Sequence, residues 1–266
     1  MTQSQNDRTE HDPGRARQAD AKKLVQWVQQ QAGISRRKAE ELIDAGEVSV
    51  NGVPAGQPFE VYTRETIDRL SLRGHPLAVD RPEPRVYRYH KPGGVLCSHD
   101  DPFYGNTVGR ILRTEGFIGY TWIGRLDQDS EGLLLLTNDG AMVHAFTHPR
   151  YEVEKVYHVW LARMPKPQRM ARILSQMMEG IVDKGDQLRA VAGRVEGRPP
   201  HVQLTLTEGK KHEVKRLFAH FELSVKRLLR VSIASVRLAD LPPGRIERLG
   251  ANEAEALRAF ARRLQQ

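Results

Sequence analysis

Apolar positions recur along this chain at two periods, and the change of period divides it. Near the N-terminus LVQWVQQQ sets Leu24, Val25 and Val28 at helical spacing. GISRRKAEELIDAGEVSVNG predicts a second helix: Ser35 caps its start, Ala39, Leu42 and Ile43 form its apolar stripe, and Gly46 stops it. EVSVNG alternates as a short strand into an Asn51-Gly52 turn, and RLSLRGHPL predicts a further strand with a turn at Gly74. RPEPR, Arg81 to Arg85, is a proline-bearing linker. Beyond it VYRYHKP and KVYHVWL alternate like strands, and LLLLT reads as a short buried strand. MARILSQMMEG, EVKRLFAHF and the tail NEAEALRAFARRLQQ are helical. In the second of these, Val214, Leu217, Phe218 and Phe221 mark the buried stripe, with Lys215 at its edge and Arg216 nearly opposite. Strands and helices mix without the alternation of a doubly wound parallel sheet, so the expected class is α+β. The expected divisions are a tail at 1–20, a small module at 21–80, the linker at 81–85, a larger domain at 86–250 and a terminal helix at 251–266.

Composition narrows the setting. The chain of 266 residues is long enough for a real core in one large or two modest domains. No apolar run approaches the length of a bilayer span. MTQSQNDRTEHDPGRARQAD lacks the apolar centre of a secretory signal and reads as a disordered polar tail. A single cysteine, Cys97, leaves no internal disulfide and no cysteine-rich zinc site, and it fits a reducing, cytoplasmic setting. Beside Leu96 it reads as a packed side chain. The net charge of +8 favours a polyanionic partner. Thr205 to Arg237 holds eight basic residues against three acids, whereas 21–80 holds eight of each sign, so the nucleic-acid footprint lies mainly in the C-terminal half. Within the neutral module the charges segregate: Arg36, Arg37 and Lys38 open the second helix and four acids close it. Internal ion pairs on a solvated helix and an outward basic corner both fit that pattern.

The chemistry concentrates in GRLDQDSEGLLLLTNDG, which sets Asp127, Asp129 and Glu131 against four leucines. Acids this close to a core are paired, hydrated or chemically employed. A calcium loop fits poorly, because the twelfth position holds Asn138 in place of a bidentate glutamate. A polar turn feeding a buried strand and a reactive carboxylate held at a strand mouth both remain. His144 and His148 stand four apart, but Pro149 ends their helix and no second ligand set is apparent, so no metal is expected. Trp27, Trp122 and Trp160 read as packing residues. The absence of GxGxxG, P-loop and HExxH patterns predicts a protein without a cofactor.

Two resemblances sharpen this picture. Ile34 to Glu40, Ile43, Gly46 and Val48 to Gly52 resemble the alpha-L RNA-binding module of a small-subunit ribosomal protein and of several RNA-modifying enzymes. That resemblance implies that Arg36, Arg37 and Lys38 face a folded RNA backbone. The order YHKPGGVLCSHDDP, GRLDQDSEGLLLLTNDG, EKVYHVWL, EGKKHEVKRLFAHF is similar to that of the pseudouridine synthases acting on bacterial ribosomal RNA, in the branch with an N-terminal alpha-L module. The likeness runs from about residue 21 to residue 250. It departs from the family at Glu213, where Gln is frequent, and at Ala234, where Gly is frequent.

The family resemblance implies a mixed, mainly antiparallel sheet with flanking helices and a cofactor-free conversion of uridine to pseudouridine. Asp127 is then the nucleophile, Tyr157 stacks on the uracil near the moving proton, and Lys215 keeps the aspartate ionised. Arg125 enters the RNA beside the flipped base, and Lys210, Lys211 and Arg216 belong to the stretch that grips phosphates. The implied partner of this monomer is ribosomal RNA or an immature ribosomal subunit. Tyr89 to Ser98 looks closer to the large-subunit branch, with the small-subunit branch as the alternative. A ribosome-assembly factor without catalysis would not need Asp127, Tyr157 and Lys215 together.

Overall fold

The computed structural model describes residues 21–63, 66–77 and 84–265. The expected tail at 1–20 and most of the 81–85 linker lie outside the described residues. The chain divides into two compact units between Arg81 and Pro82.

The first unit follows its sequence pattern closely. It comprises β1 (Lys22–Lys23), α1 (Leu24–Ala32), α2 (Arg36–Asp44), β2 (Val48–Val50), β3 (Val53–Pro54), β4 (Val61–Tyr62), β5 (Leu70–Leu72) and β6 (His75–Leu77). Gly33, at φ 63°, ends α1, and the Ser35 hydroxyl accepts the Lys38 amide at 3.2 Å to open α2. The faces marked by Leu24, Val25, Val28, Ala39, Leu42 and Ile43 close on Ile67 and Leu70 as one core. Each fully buried aliphatic side chain there contributes roughly 1.5–3 kcal/mol. Four strands pair antiparallel in the order β3-β2-β5-β6, turned by Asn51 and Gly52 at φ 53° and 85°. The Asn51 carboxamide also accepts the Asp68 amide and donates to the Thr66 carbonyl, each at 2.8 Å, which adds tertiary bonds to its turn role.

The second unit runs β7 (Val86–Lys91), α3 (Val108–Thr114), β8 (Thr121–Ile123), β9 (Glu131–Thr137), α4 (Gly140–Thr147), β10 (Lys155–Leu161), α5 (Pro167–Glu179), β11 (Ile181–Asp183), β12 (Asp186–Leu188), β13 (Ala192–Glu196), β14 (His201–Leu206), α6 (Glu213–Ala219), β15 (Val225–Ile233), β16 (Val236–Arg237), β17 (Ile246–Arg248) and α7 (Ala251–Leu264). The main sheet has the order β13-β14-β10-β15-β9-β7-β17, with β16 added to β15 and β8 to β9. Among the described residues its pairings are antiparallel except at β9–β15, making the sheet mixed but mainly antiparallel.

β9 carries the four leucines because both of its faces are covered. Leu133 and Leu135 pack with Met142, Phe146 and Leu257, from α4 and α7. Leu134 and Leu136 pack with Tyr89, Val108 and Leu112 on the other side. A further core joins α5 and α6 to Tyr157, Val159, Val202 and Leu204.

Two backbone positions matter to the junction between β9 and β15. Gly132, at φ 114°, lies so close to β15 that an added Cβ would sit 2.3 Å from the Arg230 carbonyl oxygen and 2.5 Å from its nitrogen. Ala234, at φ 47°, occupies the left-handed region just after β15, a conformation that glycine adopts without strain. Among the described residues no helix is long and apolar enough to cross a membrane.

Candidate active site

Asp127 lies in the turn between β8 and β9, and that turn is tied down at successive residues. The buried Arg230 guanidinium donates through Nη1 to the Arg125 carbonyl at 3.1 Å and through Nε to the Leu133 carbonyl at 2.8 Å. The Leu126 amide donates to Cys97 Sγ at 3.4 Å. The Gln128 carbonyl accepts from the Gly94 amide at 2.8 Å and from Lys91 Nζ at 3.3 Å. Lys91 is fully buried, and loss of solvent lowers its pKa; its ammonium also donates to the Pro92 carbonyl at 2.9 Å. Arg227 pairs with Glu131 at 2.9 Å where the turn enters β9. KPGGVLC is thus a backing for the aspartate's turn. A carboxylate so placed has little conformational freedom left to lose.

The Asp127 carboxylate faces two cations or potential cations. Lys215 Nζ stands 3.3 Å from Oδ2 and His212 Nε2 3.5 Å from Oδ1. Lys215 also contacts Asp129 closely, and this hydrogen bond holds the Asp129 pKa below the usual carboxylate value. The α6 geometry explains the arrangement: Val214, Leu217 and Phe218 are buried, which leaves Lys215 at the stripe's edge with its ammonium reaching the turn. His212, at φ 54°, immediately precedes α6. Sequence reasoning passed over it, although it stands three residues before Lys215 and so returns to the same side.

A cleft of about 880 Å³ opens at this carboxylate. Asp127, Arg125, Tyr157, Lys210 and Lys211 line it, together with Lys155 and Arg230, which were not among the expected site residues. Tyr157 is 7% exposed, belongs to the core and also lines the cleft. Lys155 is pushed down to about 8 by burial and by the nearby Arg230; it donates to the Val153 and Thr207 carbonyls at 2.8 and 3.1 Å. Arg230 had a legible signal, a charge two residues after Leu228 at an inward position of an alternating strand.

Other expected residues fall elsewhere. Arg216 spans Asp183 and Asp186 of the β11–β12 hairpin, 2.7 Å from the latter, with its side chain 15% exposed. Those acids already occupy its guanidinium, so it adds no free cation for phosphate; the helix places it nearly opposite the buried stripe. Lys210 lines the cleft while its ammonium contacts Glu208 and the Gln187 carbonyl. In the first unit, Arg36, Arg37 and Lys38 are exposed and pair with Glu40 and Glu41 at 2.9–3.5 Å. Asp129 pairs with Lys215 and Glu131 with Arg227, so neither acid is taken by Arg125.

Glu213 is a departure with a physical consequence. It is 4% exposed; its Oε2 accepts the Lys210 amide at 3.0 Å, while Oε1 finds no hydrogen-bond partner among the described residues. Burial raises its pKa. A carboxyl with a raised folded pKa favours the fold while protonated, and that advantage is lost as pH rises through the raised value. Glu213→Gln is therefore expected to raise the melting temperature by about 2–4 °C at pH 8, the equivalent of roughly 1 kcal/mol, with the gain shrinking towards pH 4. Thermal melts across that pH range test this; a pH-independent difference would remove the ionisation argument.

A carboxylate held 3.3 Å from a lysine at a strand mouth, beside a cleft that a tyrosine lines, marks the candidate active site. The RNA pseudouridylate synthase family profile matches residues 85–220, and the S4 domain profile matches residues 22–59. This chain belongs to the RNA pseudouridylate synthase family. It is 34% identical to the ribosomal large subunit pseudouridine synthase B of Bacillus subtilis (strain 168), covering 89% of this chain and 96% of that one. It is 33% identical to the ribosomal small subunit pseudouridine synthase A of Vibrio cholerae, covering 85% and 94%. A crystal structure of a pseudouridylate synthase aligns with a TM-score of 0.59 at 30% identity, over 88% of this chain and 99% of that chain.

Proposed function

We propose that this protein converts a uridine of ribosomal RNA to pseudouridine, acting as a cytoplasmic monomer on large-subunit RNA. The observation that carries the reading is the Asp127 carboxylate, held by a tied turn 3.3 Å from Lys215 at a cleft large enough for an extruded nucleotide. The isomerisation breaks the bond from ribose C1′ to uracil N1, forms one from C1′ to C5, and moves the C5 proton. Nothing is gained or lost overall, so no group donor is required. Asp127 supplies the nucleophile, and the Lys215 ammonium stands beside it as its cationic partner. Tyr157 stacks on the turning base, and the Arg125 guanidinium fills the gap the base leaves in the RNA.

Lys211 and Lys210 at the cleft edge contact phosphate, and Arg36, Arg37 and Lys38 add affinity from the first unit. Five neutralised phosphates correspond to an affinity loss of about 130- to 500-fold between about 50 and 200 mM salt. Filter binding over that range measures it; a flat response would contradict phosphate gripping.

The relatives divide between subunits, so the test uses both RNAs. Large- and small-subunit RNA labelled with tritium at uridine C5 are offered naked and as immature subunits. Release from large-subunit RNA is expected. Release from small-subunit RNA alone reassigns the target, and tight binding without release from any of them overturns the catalytic reading.

A further inference from the structure

The sheet carries a second polar constellation, on the face away from Tyr157. Successive strand residues point to opposite sides, so His158 leaves the core that receives Tyr157. The register sets His158 across from Gln203 on β14, and Glu196 of β13 across from His201. Three side chains from three neighbouring strands thereby converge. His158 Nε2 stands 3.3 Å from Glu196 Oε1, and His201 Nε2 stands 3.5 Å from the same oxygen. The three donor atoms lie within 4.8 Å of one another.

Those separations have a chemical meaning. A tetrahedral zinc ion bound by imidazole nitrogen and carboxylate oxygen at about 2.1 Å spaces its donors about 3.4 Å apart. The surroundings also prepare the ligands. His201 Nδ1 faces the Pro199 carbonyl at 3.4 Å, so a proton held there leaves Nε2 as a lone pair. That Nε2 is buried and has no hydrogen-bond partner among the described residues. Gln203 Nε2 donates to Glu196 Oε1 at 3.0 Å and stands 3.5 Å from His158 Nε2, while Arg194 donates to Oε2 at 2.8 Å, so the carboxylate is oriented from both sides. The turn is shaped for the ring as well: a Cβ at Gly197 would lie 2.4 Å from His201 Cε1.

We propose that His158, Glu196 and His201 form a binding site for a divalent late transition metal ion, Zn²⁺ in the first instance, with the fourth position left to water. Two imidazole nitrogens and one carboxylate oxygen within 4.8 Å of one another suit zinc better than the oxygen-seeking magnesium or calcium. The ion clips the edge strand β13 to β10, where Tyr157 immediately precedes His158. It thereby stiffens the strand behind the cleft without entering the chemistry.

The experiment uses the full chain, freed of metal by chelation and titrated calorimetrically with Zn²⁺ alone. Co²⁺ provides a second readout through the visible absorption of a tetrahedral site. One equivalent is expected, with affinity at least tenfold weaker in Glu196→Gln and His201→Asn, and unchanged in the His144→Asn/His148→Asn control. Zn²⁺ is also expected to raise the melting temperature of the wild type and not of the two site variants. Circular dichroism establishes that those variants are folded. Absence of binding, or binding that neither site substitution weakens, overturns the proposal and leaves a hydrogen-bonded His–Glu–His cluster.

Discussion

Asp127→Asn is expected to lower tritium release from C5-labelled RNA by at least about 10⁴-fold while leaving the fold intact. The amide matches the carboxylate in shape but carries no charge and is a poor nucleophile. Structure should survive because the turn's ties run through backbone groups of Arg125, Leu126 and Gln128, and the Asp127 side chain is not among them. Lys215 keeps a partner in Asp129, so no buried cation is orphaned. A melting temperature within about 2 °C of wild type is therefore expected alongside the lost activity. Release within tenfold of wild type would remove the nucleophile's role from this residue. A large loss of stability would leave the activity result ambiguous, which is why the two measurements belong together.

Gly132→Ala should act in the opposite sense, through structure first. The new methyl group would fall 2.3 Å from the Arg230 carbonyl oxygen and 2.5 Å from its nitrogen. Both obstacles are backbone, so no rotamer relieves them, and φ 114° is itself strained for an L side chain. Relief requires β15 to move away from β9 at the residue whose side chain holds the Arg125 and Leu133 carbonyls. A destabilisation of roughly 4 kcal/mol or more is expected, a fall of about 10 °C or more in melting temperature. Thermal denaturation of the catalytic unit within the full chain measures it. A shift under about 3 °C would show that this junction has slack. Activity should fall as well, because the Asp127 turn hangs from the same junction.

Both expectations depend on features with different visibility in the sequence. The elements were legible where one local rule dominates. Ser35 opens a helix because its hydroxyl satisfies an amide, and Leu133 to Leu136 read as a buried strand because four consecutive leucines leave no solvent face. α6 was legible in enough detail to separate Lys215 from Arg216. Yet the fate of Arg216 was not, because the acids that occupy it come from a hairpin about thirty residues earlier in the chain.

The sequence by itself determined the α+β character, the helix caps, the buried stripes and the placing of Asp127 at a strand mouth. Each of these rests on neighbours within a few residues, where periodicity and capping chemistry act directly. Only the tertiary structure decided which charges meet. Strand register brought Arg230 beneath the Asp127 turn, set Lys91 behind it, and gathered His158, Glu196 and His201 on one face. Hydrogen bonds and ion pairs depend on distances of a few ångströms, and residues far apart along a chain reach such distances only after the sheet has fixed its order.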